Sequence, residues 1–600
     1  MTAAARVAFA LLVCATFGAF FVAQQLKSTP PLVVDLTVTP FFSPNGDGRF
    51  DRARASFRVP GDDEVTVTVL DSRGDEVREL LDRRRVRRGR RVRVAWDGRT
   101  EDRAVAPDGI YRIRASLRRQ GRSATLPRDI LKDTRPPDVR VTSIGPQQDG
   151  RPRPKLLPSA GGGPARISFE AVGRRKQVLV FRTDVRRARA VFDTPVRLPD
   201  DATRWTWDGT AGGRRVAAGT YLVVVRARDR AGNIGSSAPV PPRFSFGEPL
   251  PGRGGITVRY LTAQAPTAPV DAGEQALVAV DSVGANFSWS VRRIGERDVR
   301  KRGRGTRSRV VRFAAPGGKS GLYLFEVRTR TRKVAAPLVV QSQQARDVLV
   351  VLPVTTWQGL NPVDDDGDGR PNTLGAGLPV RIARPYAKDG LPDQLPRNEA
   401  LLLAALDRSG RRYDLTTDVA LARGTGPQLA GHRGVILAGD ARWLDPRVAR
   451  ALRAFVVRGG RVLSAGTDSL RRGATLDGQD RVVSPTPPTT RDLFGARLRP
   501  VVREPVSLVN VVDDIGLFEG TEGLFGGVDA FEETLDVRGG TPAVAAAAAT
   551  QPGDRQVIVA ARLGSGLVIR PGMPGFSARL RSDGELATLL QRTWTLLRRR

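Results

Sequence analysis

Asp364, Asp366 and Asp368 occupy alternate positions of the stretch NPVDDDGDGRPNTL, and Gly369 follows directly. Three carboxylates at this spacing, then a glycine that permits a sharp turn, form the first half of a calcium loop. Asn372 falls at the ninth position, where it would bind directly or through water, and the twelfth is Gly375. The usual bidentate carboxylate must therefore come from elsewhere in the fold or be missing. Clustered carboxylates repel one another unless a cation joins them, so calcium is the expected occupant, with a solvated turn as the alternative. A second stretch, TPFFSPNGDGRFDRA, offers Ser43, Asn45 and Asp47 with Gly48, and Asp51 at the ninth position. It has two carboxylates only. Pro44 and the Asn-Gly pair already explain a tight bend, so a turn is expected there, with calcium as an option.

Candidates for acid–base chemistry are few. Asp440 lies in AGDARW, Tyr386 in RPYAKDG, and His432, the single histidine, in GHRG. Asp440 with Asp445, or Asp513 with Asp514, could do acid–base work, although paired acids are common by chance. A Ser-His-Asp arrangement would have to use His432, and no G-x-S-x-G elbow is present. A lone histidine at a strand entrance more often packs or turns the chain. The glycine-rich stretches 161–163 and 212–213 lack the strand-then-helix context of a phosphate loop. The single cysteine, Cys14, lies in an apolar N-terminal run, so the rest of the chain has no intrachain disulfide, thiol nucleophile or thiolate metal site.

The elements that must position these residues fall into two grammars. From Leu32 to about Asp133, stretches such as EVTVTVLD and RRVRVAWDG alternate apolar and polar residues with period two, as half-buried antiparallel strands require. WDGRTEDRAVAPDGIYRIRASL is echoed by WDGTAGGRRVAAGTYLVVVRARD from Trp207, an internal repeat in which Trp96 and Tyr111 correspond to Trp207 and Tyr221. The Trp ends a core strand, Asp-Gly turns, and the Tyr of the next strand shares the core. Domains are expected at 32–137 and 138–249, with DTRPP as a stiff linker, and a third β-sandwich at 250–345. From Arg346 onward, continuous apolar runs such as DVLVVLPV alternate with helical signals. One helix is expected after Asp445 and Pro446, with Val448, Leu452, Phe455 and Val456 inward. A final helix has Ser582 and Glu585 as its capping box. The expectation for 346–600 is a doubly wound α/β domain with a largely parallel sheet.

Ahead of these modules, residues 1–31 read as an export segment. The run from Val7 to Ala23 is almost wholly apolar, long enough at roughly 1.5 Å per residue to be expected as a transmembrane helix. Phe17 and Phe21 spoil the candidate cleavage sites at Ala19 and Ala23, which favours an uncleaved signal anchor over a cleavable peptide. The bulk of the chain is then extracytoplasmic, and the protein is secreted if the leader is cleaved. The net charge of +35 comes from 97 basic residues against 62 acidic ones, almost all the former being arginine spread through strand-like segments. No nucleic-acid partner is expected. Local runs at 83–91, at 300–309 and at the terminal RRR would meet anionic envelope polymers or lipid head groups, or form solvated faces.

The Trp-Asp-Gly and Gly-x-Tyr landmarks, with SPNGDG at the start, resemble the Ig-like modules of the flagellar hook-capping protein and of secreted bacterial surface proteins. Farther on, LPVTTWQGLN, RPYAKDG, YDLTTDVAL, GHRGVILAGDARWLDPRVARALRAFVVRGGRVLSAG and GSGLVIRPGMPGFSARL resemble the large subunit of N,N-dimethylformamidase over roughly 320–600. That resemblance implies a glutamine-amidotransferase-like fold and an iron-dependent amide hydrolase whose metal is held by tyrosines and a glutamate. The sequence departs from the pattern. Leu360 stands where relatives have a tyrosine before the asparagine, and Arg442 falls where they place the glutamate. Tyr386 survives. A cation at a ligand position repels iron and removes a carboxylate, so metal-assisted hydrolysis is disfavoured. The reading is a membrane-anchored envelope protein that binds or scaffolds through a catalytically degenerate domain, with a diverged amide hydrolase as the alternative.

Overall fold

The computed structural model describes residues 3–27, 31–145, 155–157, 164–537, 543–550 and 555–599. The glycines 161–163 and Arg600 of the terminal basic run lie outside them.

The N-terminal stretch folds as a helix, Ala3–Lys27. Among the described residues, however, no helix is long and apolar enough to cross a membrane, which corrects the expected transmembrane helix over 7–23. The apolar run 7–23, at about 1.5 Å per residue, rises roughly 26 Å, short of a hydrocarbon core of roughly 30 Å.

Three β-sandwiches follow. In the first, Val34–Val38, Ala53–Arg58 and Arg91–Trp96 form a three-stranded sheet facing a six-stranded one built on Asp63–Leu70 and Gly109–Leu117. The second repeats this plan, with Ala165–Ala171 central to a three-stranded sheet and Arg174–Arg182 and Gly219–Arg228 central to the larger one, which also takes in Gly255–Val258. The echo in the sequence is an echo in space. Trp96 meets Tyr111 edge-on at 4.6 Å between ring centroids, and Trp207 meets Tyr221 at 5.4 Å. Each indole N–H donates to the carbonyl three residues on, Arg99 or Thr210, and each phenol donates to the carbonyl four residues back, Pro107 or Ala217. Both polar handles of a buried aromatic pair are thereby satisfied within one strand–turn–strand connection that crosses between the two sheets, which explains why the motif recurs as a unit. The third sandwich stacks Trp289, Phe313 and Phe325 between its sheets.

The C-terminal module corrects the expectation of a doubly wound α/β domain, and with it the amidotransferase type. Its nine-stranded sheet is mixed. Asp414–Thr417, Val348–Leu352, Gly434–Leu437, Arg461–Ser464 and Gly566–Arg570 run parallel in that order. Four further strands then extend the sheet antiparallel: Arg555–Leu563, Ala545–Ala549, Val506–Asp513 and Leu524–Val528. Among the described residues strands far outweigh helices, so strands rather than crossover helices dominate the architecture. The physical reason lies in the segment after Ser464, which returns through short strands and a hairpin instead of a helix. Its strand Ala545–Ala549, five buried alanines, carries no β-branched signal and reads in isolation as helix.

Helices still cover both faces of the parallel half. Pro446–Val457 packs Val448, Leu452, Phe455 and Val456 against Leu349, Val435 and Val462. Its cap is Asp445, which accepts the Arg447 N–H at 2.8 Å. Gly584–Arg598 buries Leu586, Leu589, Leu590 and Leu597 on the opposite face. Its cap is Asp583, not Ser582, because the Asp583 carboxylate accepts the Leu586 N–H while Glu585 accepts the Glu522 N–H instead.

Candidate functional site

The loop 364–372 leaves the short helix Val354–Leu360 and closes on itself through the Asn372 N–H, which donates to the Val363 carbonyl at 2.9 Å. Asp364 is fully committed to the turn. One of its oxygens accepts the Gly367 and Asp366 N–H groups and the other accepts that of Gly369. Asp368 accepts the Arg370 N–H and, across the seam to the second sandwich, the Leu250 N–H at 2.7 Å. One oxygen from each of Asp364, Asp366 and Asp368 lies within 4.8 Å of the others, and among the described residues this is the acidic group that could hold a metal ion. Asp364 and Asp368 are buried and Asp366 is half-buried. Burial, then the neighbouring carboxylates, push Asp364 well above the usual carboxylate range and Asp368 up to about 6. Asn372 does not extend the cluster. Its side-chain oxygen accepts the Asp365 N–H at 2.6 Å, and its amide donates to Asp366.

Two features unseen in the sequence fix this loop. Arg384, fully buried, ion-pairs with Asp365 at 2.9 Å and donates to the carbonyls of Gln358, Asn361, Val363 and Asn372. Gly255 of the second sandwich lies against the Asp364 carboxylate with no room for a Cβ, and Gly369, at φ +85°, lies against Leu222. The loop is therefore the seam between two modules, closed further by the Thr183 hydroxyl donating to the Gly369 carbonyl at 2.7 Å.

The 43–51 loop joins the first two sandwiches. Asp51 accepts the Gly46 and Gly48 N–H groups, and Asp47 accepts that of Arg49, so both carboxylates serve the turn. Ser43, buried, donates to the Asn233 side chain at 2.5 Å. Asn233 in turn donates to the Asp133 carbonyl and to Asp229, tying the loop, the linker and the second module together.

The remaining candidates separate. Asp440 follows Gly434–Leu437 at the carboxyl end of the parallel strands, buried, and accepts the Thr467 N–H at 3.0 Å. Burial raises its pKa, and Arg442 at 3.7 Å opposes the rise. Tyr386 lies at the same end, half-buried between Trp357, Gln358 and Arg384, and burial raises its phenol. His432 lies at the opposite, amino end, where its Nε2 is 2.9 Å from Asp414. It therefore cannot act on a group held by Asp440. Asp414 is held below the usual range despite its burial by hydrogen bonds from His432, the Arg346 N–H and Gln341. The pair braces the strand entrance.

Glu399, which the sequence reading missed, is a buried neighbour of Asp440. It opens the helix Glu399–Arg408 but turns inward beneath Gly439 and accepts the Trp357 indole N–H at 3.1 Å. Among the described residues its other oxygen is buried without a partner, and burial pushes its pKa up to about 7. An acidic residue at a helix start ordinarily reads as a dipole partner, which is why NEALLL gave no warning.

Residues 309–487 match the family described as N,N-dimethylformamidase beta subunit-like, C-terminal. This segment is similar to that family's domain. The match begins in the strand Arg309–Ala314 of the third sandwich and ends before the antiparallel extension of the last sheet, so it covers under a third of the chain. No curated protein matches the sequence. Among solved structures, the C-terminal fragment of intimin in complex with its translocated receptor domain is similar at 10% identity over 40% of this chain and 67% of that one, with a TM-score of 0.21. FLGD from P. aeruginosa is similar at 19% identity over 24% of this chain and 91% of that one, TM-score 0.13. Domains A168–A170 of titin are similar at 12% identity over 52% and 98%, TM-score 0.17. Scores this low carry no argument, and the sandwich assignment rests on the strand pairing itself.

The donor set at the strand ends does not fit the iron that this relationship implies. Arg442 points its guanidinium at Asp440 and, at 3.6 Å, at Asp468, while Leu360 supplies no oxygen and Tyr386 remains a single phenol.

Proposed function

We propose that the protein is a non-enzymatic, extracytoplasmic binding or structural protein, in which Ig-like sandwiches carry a dimethylformamidase-related domain stripped of its metal chemistry. Arg442 carries the reading. Its fixed cation stands between Asp440 and Asp468 where the resemblance would place a carboxylate ligand, and it supplies from within the chain the positive charge those acids require. Calcium at Asp364, Asp366 and Asp368 belongs to the same reading as a structural fastener at the module seam, since the site offers hard oxygen donors only. An extracytoplasmic setting agrees with a chain whose single cysteine lies in its N-terminal helix and whose stability rests on apolar cores. Metal analysis of the full chain purified without chelator tests this reading: calcium is expected, and stoichiometric iron would overturn it.

The second reading, an amide hydrolase, is favoured by Glu399. A buried carboxyl titrating near neutrality, with one oxygen unpartnered beside Asp440 and Trp357, is suited to passing a proton. The pocket lined by Trp357, Asn361, Tyr386 and Gln394 is the adjoining space a substrate would enter. Turnover of small amides that is abolished in both Glu399→Gln and Asp440→Asn would establish it.

A further inference from the structure

We infer that the cleft between the first two sandwiches is a binding site for an anionic glycopolymer, a chain bearing repeated phosphate or carboxylate groups. The inference goes beyond the proposed function and stands whether or not the C-terminal module is catalytic.

The cleft encloses about 620 Å³. It is lined by Arg49 from the 43–51 loop and by Arg175, Arg197, Arg226 and Arg228 from the large sheet of the second sandwich. Strand register explains how three of them share one face. Gln177 pairs directly with Arg197 on one side and with Arg226 on the other, so the three side chains form a single row across adjacent strands. Arg228 lies two residues beyond Arg226, and Arg175, at φ 50°, joins the lining from the bulge between Arg174 and Gln177. The single carboxylate in the lining, Asp200, already accepts the Arg175 backbone N–H at 2.6 Å.

What sets these arginines apart is that they line one concave wall together and without counter-charge. On the first sandwich Arg78, Arg112 and Arg114 each meet a carboxylate within 3.1 Å. None of the five cleft arginines has an ion pair among the described residues, although Arg226 and Arg228 are half-buried. Unpaired like charges on neighbouring strands repel, and a concave low-dielectric wall focuses their field, so the cleft is poised to take anionic oxygens from outside. Guanidinium groups match phosphate and carboxylate in paired hydrogen bonds. A nucleic acid suits the cleft less well because no aromatic side chain lines it to stack bases.

The cleft is also preorganised. Phe50, at φ 53°, packs on Gly232, where a Cβ would meet its ring at 2.9 Å, and Ser43 is held by Asn233, so the loop bearing Arg49 is fixed over the second module. A rigid wall loses little freedom on binding.

The test measures binding of fluorescent oligomers to the full chain at increasing salt. Poly(glycerol phosphate) and polygalacturonate are the two sources of anion, and oligothymidylate of equal charge is the nucleic-acid arm. The expected result is salt-sensitive binding of at least one acidic glycopolymer, about tenfold weaker in the double variant Arg197→Ala/Arg226→Ala. The control Arg408→Ala/Arg412→Ala, two exposed arginines of the C-terminal module outside the basic runs, is expected to change affinity less than about twofold. Whichever glycopolymer binds identifies the anion. Arg49→Ala, on an exposed loop that tolerates truncation, provides a second reading at about threefold should the double variant melt early. Equal losses in the cleft and control variants, no glycopolymer binding, or tighter binding of oligothymidylate would each overturn the inference.

Discussion

The loops 43–51 and 364–372 are written in nearly the same alphabet of Asn, Asp, Gly and Pro, yet they end in different physical states. In the first, Asp47 is exposed and Asp51 only half-buried, each caps backbone N–H groups, and the ordering contact is a neutral Ser43–Asn233 hydrogen bond to the next module. In the second, Asp364 and Asp368 are buried against the preceding module, and three carboxylates crowd within 4.8 Å. Turn chemistry is common to both. What differs is the neighbour: Gly255 and Leu222 shut water out of the second loop, whereas the first keeps its carboxylates in solvent. Burial converts a turn into an electrostatic problem that a cation would solve, and exposure leaves it a turn.

The most severe way to break the contrast is to remove Asp364. Asp364→Ala leaves the N–H groups of Asp366, Gly367 and Gly369 without their acceptor in a buried seam, at about 3 to 5 kcal/mol. Calcium is expected to raise the melting temperature of the wild-type chain and to leave this variant unmoved, whereas Asp51→Ala should keep the full calcium response. Differential scanning calorimetry with and without calcium reads both. An unaltered calcium shift in Asp364→Ala would locate the ion elsewhere.

Buried acids at the sheet's carboxyl end provide the next contrast, because no cation cluster attends them. Burial raises Glu399, Asp418 and Glu532 to about 7 each. The folded state therefore holds these protons over a range in which the unfolded chain has released them, from about pH 4 to pH 7. Stability is fullest below that window and falls as pH rises through it. Glu399→Gln should flatten the fall by up to about 3 kcal/mol, read as the difference between stabilities from denaturant titrations at about pH 4 and about pH 8, which bracket the window. A variant with the wild-type slope would mean that Glu399 titrates normally.

These contrasts show what was legible in the sequence. The Asp364, Asp366 and Asp368 cluster could be read because its members are neighbours in the chain, and the Trp–Tyr pairs because each is completed within one short connection between consecutive strands. Glu399, Arg384 and Asn233 could not, since each acquires its role from contacts made far along the chain: Glu399 with Trp357, Arg384 with the 364–372 loop, Asn233 with Ser43 and Asp133. The antiparallel half of the last sheet escaped for a related reason. A strand of five alanines owes its conformation to the partners on either side, Val506–Asp513 and Arg555–Leu563, and not to its own propensity. Arg442 was legible as a misplaced cation, but only the fold pairs it with Asp468.

A smaller effect is expected at the joint of the first loop. Asn233→Ala removes an acceptor for Ser43 and the donor to the Asp133 carbonyl, about 2 kcal/mol in all, and should free the linker 133–137 to limited proteolysis without altering the calcium response. The smallest belongs to Asp47. Its carboxylate accepts one N–H, that of Arg49, at an exposed position, so Asp47→Asn, whose side-chain oxygen can accept the same bond, should change stability by less than about 0.5 kcal/mol. The chemically identical change Asp364→Asn adds a donor where three N–H groups already point, and in that crowded seam it should be felt several times more strongly. Matched denaturant titrations of the two Asn variants isolate burial from turn chemistry. Equal effects would show that the shared turn grammar, and not the water-excluding neighbour, governs both loops.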